Sequence, residues 1–96
     1  READVYVSVV SIWELSIKRS LGKLPGLHGS LQELALRNSL TILPIEAAHA
    51  EAISSLPRHH GDPFDHLLLA QAKVEALTLV THDRILSEYG VPVLLA

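Results

Sequence analysis

Apolar positions follow two rhythms along this chain: short unbroken β-branched runs, and longer stretches where they recur every three or four residues. Residues 5–10, Val-Tyr-Val-Ser-Val-Val, are apolar on both faces and predict an interior strand of a covered parallel sheet. Ser11-x-x-Glu14 has the form of a capping box, and Ile12, Leu15 and Leu21, with Trp13 and Ile17 beside them, continue a helical stripe to Leu21. Gly22 suits the C′ position after it, and Trp13 is expected in the core. Ser30-x-x-Glu33 predicts a second helix through Leu31, Leu34, Ala35 and Arg37. A strand over 40–43 is closed by Pro44, and a helix over 46–55 turns Ala47, Ala50 and Ile53 inward. Residues 56–61 read as a loop.

The stretch that follows is the organising element. Asp62 is a suitable N-cap and Pro63 a suitable first helical residue, since its missing N–H would have had no partner there. Leu67, Leu68, Leu69, Ala70, Ala72, Val74 and Leu77 cover most of the circumference, so this helix, ending near Ala76, is expected to be buried on more than one side. Asp65 stands out, because a carboxylate beside such a run needs a partner. Residues 77–81 predict another interior strand. Asp83 can cap a short helix through Ile85, Leu86 and Tyr89, which Gly90 ends, and residues 91–95 form a last strand that Pro92 confines to an edge or to its first residue.

The order is β-α-α-β-α-α-β-α-β, which implies an α/β fold with a mostly parallel sheet and helices on both faces. With no repeat, low-complexity tract or linker, residues 1–96 read as a single domain. A hydrophobic content of 48% supports a real core. No apolar run approaches a membrane span and no leader pattern opens the chain, so no membrane role is expected. The lack of cysteine excludes disulfides and thiolate metal sites and fits a cytosolic protein. A net charge of −3 provides no general basic field, so a nucleic-acid partner has to be met by a local patch or a bound cation. The chain contains no methionine and starts at Arg1, which suggests a processed product or a piece of a longer protein.

Three carboxylates fall near the ends of predicted strands: Glu14 four residues after Val10, Asp83 two after Thr81, and Asp65 at the start of the central helix. In a parallel sheet all three share the carboxyl edge, where ligands bind. Carboxylates gathered there repel one another unless a cation sits among them, and hard oxygen donors without cysteine or clustered imidazole select Mg²⁺ or Mn²⁺. Such an ion can activate water and brace a phosphate. Taken alone, each residue is better read as a helix-end residue than as a ligand: Glu14 and Asp65 stand at N3 positions and Asp83 at an N-cap. Asp62 is structural on this reading. His59, His60 and His66 with Asp62 could bind zinc, but no H-x-x-x-H pair accompanies them, and solvated loop histidines are the simpler reading. Lys18, Arg19, Lys23 and Arg84 could meet phosphates or form a solvated helix face.

Together, Ser8-x-x-Ser11-x-x-Glu14-Leu15-x-Ile17-Lys18, Leu56-Pro57-x-x-His60-x-Asp62-Pro63-Phe64-Asp65-x-Leu67-Leu68-x-Ala70-Gln71-Ala72 and Leu79-Val80-Thr81-x-Asp83 resemble the PIN-domain family. More narrowly, they resemble the toxin ribonucleases of bacterial VapBC-type toxin–antitoxin systems, over residues 5–96. The resemblance implies a cytoplasmic, metal-dependent endoribonuclease with a three-layer α/β/α sandwich. It also implies an acidic pocket for Mg²⁺ or Mn²⁺, an RNA substrate, a cognate antitoxin laid across the pocket and a homodimer. By correspondence, Glu14, Asp65 and Asp83 are its metal-binding and catalytic residues, and Lys18 and Arg19 candidates for contact with RNA. His66 stands where many relatives carry arginine. The family's usual first central strand, with its first acidic residue, has no counterpart here. It would lie between the strands at 5–10 and 77–81, so the gap is expected to be closed by pairing within the chain, by strand exchange with another copy, or by a separate segment. The isolated chain is accordingly expected to be impaired. The competing reading is a non-catalytic module that self-associates or binds an antitoxin, with the carboxylates serving only as caps.

Overall fold

The computed structural model describes residues 4–57, 61–81 and 83–95. Its element order is the expected one: β1 (Tyr6–Ser8), α1 (Val9–Ser20), α2 (Leu31–Arg37), β2 (Thr41–Leu43), α3 (Ala47–Ala52) with a 3₁₀ turn at Ile53–Ser55, α4 (Pro63–Val74), β3 (Leu79–Thr81), a 3₁₀ segment Arg84–Tyr89, and β4 (Val93–Leu95). The chain divides into two compact units, Arg1–Pro44 and Ile45–Ala96.

The first unit holds α1, α2 and a parallel pair, β1 with β2, in the register Tyr6↔Thr41, Val7↔Ile42, Ser8↔Leu43. Here the strand predicted over 5–10 is shorter, and the helix starts earlier, than the residue pattern suggested. Ser8 rather than Ser11 is the N-cap: its Oγ accepts from the Val10 amide at 2.9 Å, and Val9 and Val10 enter the first turn. A short apolar run does not separate strand from buried helix by periodicity, and Val10, fully buried, satisfies either. Trp13, expected in the core, is 50% exposed; with Ile17 and Leu21 it lines an outward face one helical turn apart. The second helix begins as its capping serine implied, Ser30 Oγ accepting from the Glu33 amide at 3.1 Å.

The second unit is built on α4. Asp62 Oδ1 accepts from the Phe64 and Asp65 amides at 2.9 and 3.2 Å, with Pro63 at the first position. Leu69, Ala70, Gln71 and Ala72, four consecutive residues, are all buried, so the middle of this helix is enclosed on every side. Its end is not, and Val74 is 43% exposed. Leu56, Leu69, Leu86, Tyr89 and Val91 form the core with Ala70 and Ala72. β3 pairs in parallel with β4, Leu79↔Val93 to Thr81↔Leu95. In α3 the inward face differs from expectation: Ala47 and Ala50 are exposed, and the fully buried residue is His49. Alanine gains little by burial, whereas the imidazole finds hydrogen-bond partners inside.

Three helices end alike. The amide after the left-handed residue bonds back to the third-last carbonyl: Lys23 N to Lys18 O (3.0 Å), Leu40 N to Ala35 O (3.1 Å) and Leu77 N to Ala72 O (2.8 Å). The left-handed residue is Gly22 in the first case, but Ser39 (φ 60°) and Ala76 (φ 56°) in the others. A Cβ is strained there. Ala76→Gly is therefore expected to stabilise the second unit by about 0.5–1 kcal/mol, the left-handed strain outweighing the extra unfolded-state freedom of glycine. A fall in the urea midpoint would contradict this.

Candidate functional site

Of the three carboxylates singled out from the sequence, Asp65 and Asp83 stand at helix starts as expected, whereas Glu14, expected at the N3 position after Ser11, is the sixth residue of α1 because the helix is capped by Ser8. Glu14 is in α1, half-buried, with Lys18 Nζ 3.6 Å from its Oε2 one turn on. Asp65 is the third residue of α4, also half-buried, and its amide is held by the Asp62 cap. Asp83 caps the last 3₁₀ segment. Its Oδ1 accepts from the Ile85 amide at 3.1 Å, and its own amide donates to Thr81 Oγ1 at 3.1 Å. Asp65 and Asp83 belong to the second unit, at the starts of the helical segments before and after β3, while Glu14 belongs to the first. As a donor set, three carboxylates suit a hard divalent cation. Capping does not exhaust Asp83, since a carboxylate offers about four acceptor sites and this cap uses one.

The basic candidates are partly engaged. Lys18 faces Glu14, and Arg19 Nη1 donates to Gly29 O at 2.7 Å, tying the loop after α1 to the helix. One of the guanidinium's five donors is used in that bond. Of the histidines, His59 and His60 lie outside the described residues. His66, read as a solvated loop residue, is instead half-buried in α4, its Nε2 3.3 Å from Tyr89 Oη and its ring 5.8 Å from the tyrosine ring.

A different group of side chains does come together. Glu46, His49 and Glu75 place one potential ligand atom each within 4.8 Å of one another. The residues are three and twenty-six apart; the only sequence cue was Glu46-x-x-His49 at a helix start. The hydrogen bonds around His49 nevertheless oppose a metal there. The Glu46 amide donates to His49 Nδ1 at 3.0 Å, and Gln71 Nε2 lies 3.3 Å from the same nitrogen. A neutral imidazole that accepts at Nδ1 carries its proton on Nε2, which points at Glu75 Oε2 2.8 Å away. A cation at Nε2 would have to displace that proton. The cluster is thus a polar clasp between α3 and α4, with His49 buried and both glutamates exposed. Glu75→Gln, which keeps an oxygen to accept the Nε2–H, is expected to cost under about 1 kcal/mol, and His49→Ala about 2–4 kcal/mol because donors are left buried without an acceptor. Zinc should leave the melting temperature unchanged. A zinc-dependent rise abolished by Glu75→Gln would instead make the cluster a metal centre.

Among the described residues no helix is long and apolar enough to cross a membrane. A search of curated proteins returns no match. The family model for the PIN domain matches residues 1–92. That span takes in α1 with Glu14, the capped start of α4 with Asp65, and the end of β3 with Asp83, nearly the whole chain. The chain therefore belongs to the PIN domain family, a three-layer α/β/α fold whose members are typically metal-dependent nucleases.

Proposed function

We propose that the chain belongs to a toxin endoribonuclease of the VapBC type, which cleaves RNA in the cytoplasm with Mg²⁺ or Mn²⁺ and is restrained by a cognate antitoxin. The observation that carries this reading is the PIN-family match across residues 1–92, which includes all three candidate carboxylates. Glu14, Asp65 and Asp83 would hold the divalent ion, directly or through water. A bound ion of this kind supplies an activated water and charge stabilisation at the phosphate. The protein's own part is positional: the Asp62 cap fixes the first turn that carries Asp65, and the Thr81 and Ile85 contacts fix the backbone around Asp83. Lys18 and Arg19 would approach the RNA backbone, each giving up or sharing its present partner.

The sheet topology supports the further proposal of an additional strand. β1 pairs only with β2 and β3 only with β4 among the described residues, leaving two two-stranded parallel sheets. Such pairs are marginal alone, and parallel sheets are normally wider and covered. Val80 and Leu94, cross-strand neighbours on one face, are 61% and 60% exposed. A strand bearing a further acidic residue, supplied by a preceding segment or exchanged within a homodimer, would complete both the sheet and the ligand set. The test is Mn²⁺-dependent RNA cleavage by the chain with and without such a strand, joined or added as a peptide. Activity gained with the strand supports the proposal; no cleavage in any arrangement refutes it.

The exposed apolar face of Trp13, Ile17 and Leu21 favours a second reading, a non-catalytic interaction module. Metal separates the two, because a module of that kind would bind its partner equally well in EDTA and with its carboxylates neutralised.

A further inference from the structure

We draw no further inference here: the strongest candidate, the exposed apolar face of α1 formed by Trp13, Ile17 and Leu21, carries nothing beyond the interaction reading because nothing in the structure shows what covers it.

Discussion

With the proposed additional strand supplied, Asp83→Asn is expected to lower the proposed metal-dependent RNA cleavage by roughly 100-fold or more while leaving the fold unchanged. Partners one shell removed from a metal are already worth about 10–100-fold, so loss of a ligand should cost at least that. The substitution is informative because the observed capping role of Asp83 and its proposed ligand role respond to it oppositely. Asparagine caps helices about as well as aspartate, so the bond from the Ile85 amide survives and stability should change by less than about 0.5 kcal/mol. What asparagine lacks is the negative charge, which a cap can spare and a divalent-ion ligand cannot. Asp65→Asn should behave likewise, apart from losing a favourable charge at the start of α4, worth about 0.3–1 kcal/mol. Asp62→Asn is the control: it preserves the cap on Phe64 and Asp65 and should leave cleavage intact. Rates measured against Mn²⁺ concentration, with unfolding midpoints on the same samples, decide the matter. Equal cleavage by wild type and the Asp65 and Asp83 variants would reduce both residues to caps.

For stability the largest expected effect is Leu69→Ala. Leu69 is completely buried in the enclosed middle of α4 and belongs to the cluster with Leu86, Tyr89 and Val91. Truncation there removes transfer energy and leaves a cavity, together about 2–5 kcal/mol. Against a typical total of about 5–15 kcal/mol, that is enough to leave a small unit partly unfolded. Val74→Ala, on the same helix but 43% exposed, is the comparison and should cost under about 1 kcal/mol. Urea unfolding followed by helical circular dichroism would show a large drop in midpoint for the first and little for the second. A small effect at Leu69 would mean that the core can collapse around the gap.

Where local chemistry was strong, the chain could be read directly. Asp62 and Pro63 define the start of α4 by themselves, since a side-chain acceptor and a residue without an N–H answer the needs of a first helical turn. Ser30, Asp83 and Gly90 were legible for the same reason. The start of α1 was not. Ser8 and Ser11 are both competent caps, and the choice between them rests on β1 pairing with β2, a contact with residues more than thirty positions away. The end of α4 near Ala76 was legible too, but the left-handed backbone of Ser39 and Ala76 was not, because neither is the glycine that such a residue normally calls for.

By itself, then, the sequence determined the element order, the α/β class and the family, because capping, proline placement and hydrophobic periodicity act over a few residues and leave their mark in the string. Only the tertiary structure decided that α3 buries His49 instead of its alanines, that Trp13 faces outward, and that the strands pair as β1 with β2 and β3 with β4. Those outcomes depend on which distant groups arrive opposite each side chain. The imidazole is worth burying because Gln71 and Glu75, more than twenty residues away, join the local Glu46 amide in meeting both of its nitrogens.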